Sequence, residues 1–270
     1  MFKVTRVIFI LMPLFLSSFF VIGQGGRAAG LAHSAITLED ESAVFYNIAG
    51  TAKLKGISAV CAYSNRFGIE SLNTYSAGVL APIKFGVASI DVTRFGNSIY
   101  NESAIGLGFS HNIQNVSLGI KASYAQLYIE EYGTKGVLVL EFGGIAQIIP
   151  GLTFGAHIYN LNQAAYSKEN DEKVPITMKA GLGFKPFDKV LLLIEIEKNL
   201  KYQTRFRGGL EYKIIKSLFL RTGISTHPIQ SSFGFGLDLK RFKIDYGFGA
   251  YQRIGFQHSI SLVASFKKHK

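Results

Sequence analysis

The 270-residue chain carries 29 lysines and arginines against 18 acidic residues, is 48% hydrophobic and holds a single cysteine, Cys61. One cysteine excludes an intrachain disulfide, so packing and sheet hydrogen bonding must supply the stability. The basic residues are scattered instead of gathered in one run, which argues against nucleic acid as a partner.

The first residues read MFKVTRVIFILMPLFLSSFFVIGQ: Lys3 and Arg6, an apolar run from Val7 to Ile22, then Gly23. This is the pattern of a secretory signal peptide over 1–23, with cleavage before Gln24. No cysteine adjoins the cleavage point, so a lipoprotein is not expected. Losing Lys3 and Arg6 takes the formal charge from +11 to +9, 27 basic minus 18 acidic residues. After the leader no stretch approaches the ~20 apolar residues that a spanning helix needs. An exported, apolar-rich chain without helical spans points to strands.

Residues 24–55 lack a strand pattern and contain the acidic cluster Glu39, Asp40 and Glu41. From 56 to 270 the chain breaks into segments of about ten residues that alternate with period two, the length of a tilted transmembrane strand. Fourteen are expected, at 56–64, 72–82, 84–93, 103–112, 115–126, 135–148, 151–160, 175–185, 189–198, 205–214, 217–226, 230–239, 242–250 and 256–266. Alternation is clear in Phe233, Phe235, Leu237 and Leu239 against Gly234, Gly236 and Asp238, and poor in KFGVASIDVT. Links after even-numbered segments are short, such as Pro150-Gly151 and Lys240-Arg241. Most links after odd-numbered segments are longer and more polar: NRFGIES, RFGNSIYNE, YIEEYGT and LNQAAYSKENDEKV. Short turns at one rim, longer loops at the other and an even strand number fit an all-β fold, a closed antiparallel barrel in the bacterial outer membrane with both termini periplasmic.

A barrel places its apolar face in lipid and its polar face inward. The alternation then predicts an inward set of Lys121, Glu141, Lys179, Glu195, Glu197, Arg205, Arg207, Glu211, Lys213, Arg221, Asp238 and Asp245. Glu195, Glu197, Arg205, Arg207, Glu211, Arg221, Asp238 and Asp245 are the candidate lumen lining. Inward glycines, among them Gly119, Gly155, Gly181, Gly183, Gly223, Gly234, Gly236, Gly247 and Gly249, leave room for long charged side chains to lie down. Fourteen strands make a lumen too wide for side chains to close, so residues 25–50 are a candidate plug. Its acidic cluster is expected near the periplasmic side, against Arg205, Arg207 or Arg221.

The stretch GGRAAGLAHSAITLEDESAVFYNIAG resembles the start of the outer-membrane barrels typified by the long-chain fatty-acid transporter (FadL-like), and more closely their PorV/PorQ-like branch from type IX secretion in Bacteroidetes. Those barrels show an acidic pair and an Ala-x-x-x-Asn-Pro-Ala-Gly ending; Ala43 to Gly50 match it, with Ile48 in place of proline. HIYNLNQA at 157–164, RGGLEY at 207–212, FGFGL at 233–237, IDY at 244–246 and IGFQHSISL at 254–262 extend the similarity. The resemblance implies an N-terminal hatch, with Glu39, Asp40, Glu41, Asn47 and Gly50 as its marked residues, inside a fourteen-stranded barrel. It implies a role in protein secretion and surface assembly with secretion-system partners, or alternatively a channel for small hydrophobic molecules. Outer-membrane lipid is the expected surround of a monomeric barrel.

Catalytic constellations are missing from the pattern. The chain has no HExxH and no GxSxG, and the pairs Ser110-His111 and His258-Ser259 point to opposite faces of their strands. The glycines in FGFG lack the following helix of a nucleotide loop. A non-enzymatic protein without metal or cofactor is expected.

Overall fold

The computed structural model describes residues 25–167 and 172–266. The signal-peptide reading of 1–23 lies outside the described residues. An α-helix, α1 (Gly26–Gly30), and two 3-10 turns, Glu41–Phe45 and Ile48–Thr51, precede the sheet. Its strands are β1 (Ile57–Arg66), β2 (Ile69–Ile83), β3 (Gly86–Gly96), β4 (Tyr100–Ile113), β5 (Val116–Ile129), β6 (Gly133–Ile149) and β7 (Leu152–Tyr159). A small hairpin, β8 (Ala165–Ser167) and β9 (Glu172–Lys173), interrupts the series. It resumes with β10 (Thr177–Phe187), β11 (Val190–Asn199), β12 (Arg205–Ile215), β13 (Leu218–Ser225), β14 (Gln230–Leu239), β15 (Phe242–Tyr251) and β16 (Gly255–Phe266).

Fourteen strands, all but β8 and β9, form one closed antiparallel barrel in which β1 pairs with β16. Closure leaves no sheet edge along the wall, the condition for crossing hydrocarbon with strands. Among the described residues no helix is long and apolar enough to cross a membrane. Along each strand the large apolar side chains point outward and exposed, as with Ile105, Leu107 and Phe109 of β4 and Leu192, Ile194 and Ile196 of β11. Cys61 is on this outer face.

Each expected segment coincides with a strand of the barrel. Every short-rim turn has two residues between strand ends, as in Gln114-Asn115 and Lys240-Arg241, with Gln114 and Lys240 at positive φ. At the opposite rim the expected long loops are mostly absent, because the strands themselves continue into them. Only Phe67-Gly68 separates β1 from β2 and only residues 130–132 separate β5 from β6. The one long connection, 160–176, carries the β8–β9 hairpin. The β6–β7 ladder begins at Glu141↔Tyr159, so the first eight residues of β6, 133–140, rise above the end of β7. There Asn162 caps the strand, its side-chain amide donating to the Leu138 carbonyl and its Oδ1 accepting from Leu140 N–H.

β3 blurs its alternation for a physical reason. Ile90 and Val92 face outward, while Val87 and Phe95 are apolar yet buried inward beside Ser89 and Asp91. Apolar inward residues recur on this side of the wall: Val60, Leu80, Val87 and Val263 form one buried cluster with Ala28, Leu31, Ala35, Leu38, Ala43, Val44, Phe45, Tyr46 and Ile48. The core of the molecule is therefore inside the barrel, between the wall and the N-terminal segment.

Candidate functional site

Residues 25–51 lie against the inner face of the wall and are almost wholly buried, with Glu39 exposed and Arg27 and Asp40 half-buried. Three wall networks hold them. In the first, Arg27 pairs with Asp40 at 2.7 Å and with Glu211 at 2.7 Å; Arg221 joins Glu211 at 2.6 Å and Asp245 at 2.7 Å. Burial alone would lower the Arg27 pKa, but the Glu211 and Asp40 carboxylates outweigh it and hold it well above the usual value. Burial pushes the Tyr46 phenol far up, helped by Asp40, so its hydroxyl remains a donor to Asp40 Oδ1 at 2.8 Å. Asp40 also caps the first 3-10 turn, accepting from Ala43 N–H.

In the second network, Arg207 bridges Glu195 at 2.6 Å and Glu197 at 2.9 Å, while Arg205 and Lys179 also pair with Glu197. Glu195 turns its other oxygen to the segment and accepts from Ala35 and Ile36 N–H at 2.9 and 3.0 Å. In the third, Lys121 lies between Asp91 and Glu141 and donates to the Val44 carbonyl at 3.0 Å; His157 meets Glu141 at 3.1 Å. Ordinary surface ion pairs stabilise little, but these are buried and also satisfy segment backbone groups that water cannot reach. Their arrangement fixes position more than it adds energy, since desolvation offsets much of the attraction.

Asp91, on the strand whose alternation is poorest, was not among the expected inward residues; the hydrophobic neighbours Val87 and Phe95 hide it in the pattern. The acidic cluster is not where sequence placed its partners. Asp40 meets Arg27 of its own segment, Glu41 meets Lys243 at 3.0 Å and the Ser265 hydroxyl at 3.1 Å, and Glu39 meets Lys53 at 2.9 Å. Arg205 and Arg207 are instead taken by Glu197 and Glu195 of β11, across the connection 200–204, and Arg221 by Glu211 of β12, held in register by a two-residue turn, and by Asp245 of β15. Asp238 lines a cavity of about 110 Å³ with Arg27, Asp40, Glu41, Lys243 and Asp245. Lys213 is inward and half-buried.

Asn47 is fully buried; its amide donates to the Ile36 carbonyl and its Oδ1 accepts from Ala49 N–H, capping the second 3-10 turn. Ile48 begins that turn, a position proline would also tolerate. Its side chain instead fills the hollow over Gly108 and Gly119. A Cβ at Gly50 would run into the Leu38 carbonyl, so glycine is required there.

The inward glycines do a different job from the one expected. A Cβ on Gly119 would meet Ile48 and Ala49, on Gly155 the Ile36 carbonyl, on Gly223 Leu31 and Ala32, and on Gly234 the Gly30 Cα. They let segment backbone approach wall backbone. Gly106, beside Asp91 and Ser123, Gly236, beside Arg221, and Gly249, beside Gln230, chiefly make room for polar side chains of the wall.

Towards the long-connection rim the lumen changes character. Ala125, Val139, Tyr159 and Val174 form a buried apolar cluster with Ala104, Val137, Ala164 and Tyr166 against it. Asn160, fully buried at positive φ, ties the connection down by donating to the Ala164 and Val174 carbonyls. Below this cluster the inner face of the wall is charged and covered by the N-terminal segment; the cluster itself is apolar.

No protein-family model and no curated protein matches the chain. Solved structures do share its fold. The CymD monoaromatic hydrocarbon channel superposes with TM-score 0.71 at 10% identity, over 93% of this chain and 100% of that one. The toluene transporter TbuX of Ralstonia pickettii gives 0.68 at 11%, over 92% and 100%. The toluene transporter TodX of Pseudomonas putida gives 0.65 at 12%, over 93% and 99%. At such identities the likeness is one of fold: the chain has the architecture of these outer-membrane hydrocarbon channels.

Proposed function

We propose that this protein is an outer-membrane channel for small hydrophobic molecules, with residues 25–51 as a plug inside the barrel. The observation that carries the reading is the division of the lumen. Wall carboxylates and cations are engaged with each other and with the segment, while an apolar and aromatic cluster lies near the long-connection rim. An apolar solute gains about 25 cal/mol per Å² of surface that it buries there. The plug blocks a wide aqueous pore, so permeation follows a narrower path beside it or through the wall where β6 stands above β7. Transport of this kind is passive and needs no catalytic step.

The names of the structures sharing the fold, channels for monoaromatic hydrocarbons and toluene, support this reading over the secretion role implied by sequence resemblance. The test is uptake of labelled toluene by cells with and without the protein in the outer membrane. Faster uptake with the protein is expected; equal rates at verified expression would refute the channel.

A further inference from the structure

Cations gather at the short-turn rim. Lys84 stands in the β2–β3 turn, Lys216 in the β12–β13 turn, Lys240 and Arg241 make the β14–β15 turn, and Lys55 precedes β1. All five are exposed, and none makes an ion pair among the described residues. The exposed carboxylates of that rim, Glu39 and Asp188, already face Lys53 at 2.9 Å and Lys185 at 3.8 Å, while the half-buried Asp238 lies opposite Lys243 in the β14–β15 ladder. Strands β12 to β16 run on into β1, β2 and β3 around the barrel, so the five cations form one arc. Outside it, the Gln114-Asn115 and Pro150-Gly151 turns are uncharged and the Asp188-Lys189 turn is neutral. The opposite rim mixes signs, with Glu70, Glu130 and Glu131 exposed among Arg94, Lys198, Lys201 and Arg253.

The turn cations adjoin the last apolar residues of the outer surface. Ile83 and Phe85 flank Lys84, Ile215 precedes Lys216, Leu239 precedes Lys240 and Phe242 follows Arg241, and all five apolar side chains are exposed. The Lys84 Nζ lies 5.3 Å from the centroid of the Phe85 ring. Such side chains mark the edge of the hydrocarbon that surrounds the barrel. A strand advances about 3.3 Å per residue, so a cation one residue past the apolar belt sits at headgroup depth. Lysine and arginine there lay their stems along apolar neighbours and keep the charge at the interface. Phosphate is the partner that depth supplies, and Arg241 can take it with two parallel N–H donors.

We propose that the arc from Lys216 to Lys84 is a docking surface for anionic phospholipids, taking the headgroup phosphates of the leaflet that meets the short-turn rim. Its single sign selects lipids of net negative charge over zwitterionic ones, whose own ammonium would stand among the lysines. The apolar side chains beside the cations select a lipid over a soluble polyanion, because the acyl chains of the same molecule cover Ile83, Phe85 and Phe242 while its phosphate meets the turns. The proposal goes beyond the channel reading and requires only that the barrel crosses the membrane.

The test is lipid binding to the full-length barrel in a neutral detergent, with fluorescently labelled phosphatidylglycerol and phosphatidylcholine as probes. Each basic residue at a membrane surface is worth about fivefold in affinity for anionic lipid. Wild type should therefore prefer phosphatidylglycerol by about tenfold or more at low salt, and the preference should shrink at about 1 M salt, where charges are screened within about 3 Å. Lys84→Gln/Lys216→Gln/Lys240→Gln/Arg241→Gln should abolish it, with phosphatidylcholine binding and the heat-modifiable gel shift unchanged. Lys198→Gln/Lys201→Gln/Arg253→Gln, at the opposite rim, should retain it. If the fourfold variant does not fold, Lys216→Gln/Lys240→Gln should show a partial loss. Equal binding of the two lipids by wild type, a preference that survives in the short-rim variants, or one lost equally in the opposite-rim variant would overturn the proposal. Tighter binding of soluble peptidoglycan fragments than of phosphatidylglycerol would overturn it too, assigning the arc to the cell wall. Equal toluene uptake with and without the protein would refute the channel and leave this result unaffected.

Discussion

Glu195 carries two jobs at once, pairing with Arg207 through one oxygen and accepting two backbone N–H groups of the N-terminal segment through the other. Glu195→Ala would leave those donors and part of a guanidinium buried without partners. Such losses cost about 3–5 kcal/mol, so the urea midpoint of the barrel in lipid vesicles should fall, with Glu195→Gln falling less. An unchanged midpoint for Glu195→Ala would show that the contact is idle. Period-two spacing makes the inward position of Glu195 legible in the sequence, because a charge cannot face lipid. Its partners are not legible. Pairing depends on register across strands and on a segment that follows no strand period, which is why Asp40 was expected against wall arginines and meets Arg27 instead.

At the level of the strand, outward positions form the most direct check of register. Leu220 and Phe235 are cross-strand partners, both exposed on the outer face. Arginine at either should hinder insertion by about 2–4 kcal/mol at the bilayer midplane. Folding yields in vesicles should fall for Leu220→Arg and Phe235→Arg and hold for the inward Lys213→Gln; equal yields would place these residues away from lipid. Gly236→Ser is a poor control, since a Cβ there falls among the Arg221 guanidinium and the Asp245 carboxylate. Strand number and position were readable because alternation is dictated by the pleat. The rims were less so: polar residues continue the strands beyond the apolar belt, and composition alone does not separate a protruding strand from a loop.

For the whole molecule, the decisive relation is between barrel and N-terminal segment. Nine of the fifteen residues in the main buried cluster come from 28–48. Deleting 27–48 removes them and strands the carboxylates and cations that gripped the segment. The deletion should therefore lower the yield of heat-modifiable barrel and raise single-channel conductance in the barrels that form. Normal yield with wild-type conductance would mean that the segment neither supports nor fills the lumen. Its placement can be read chemically through Leu31 and Gly209 of β12, where a Cβ on the glycine would come 3.2 Å from the Leu31 Cβ. That is close to the separation a disulfide spans, about 3.5–4.5 Å. The measurement is thiol titration of the Leu31→Cys/Gly209→Cys pair in a Ser34→Ala/Cys61→Ser background, since the Ser34 hydroxyl would crowd the new Cβ, on oxidised full-length protein in lipid vesicles. The account predicts a disulfide between N-terminal segment and wall and no free thiol without reductant; two free, alkylatable thiols in a folded barrel would contradict it.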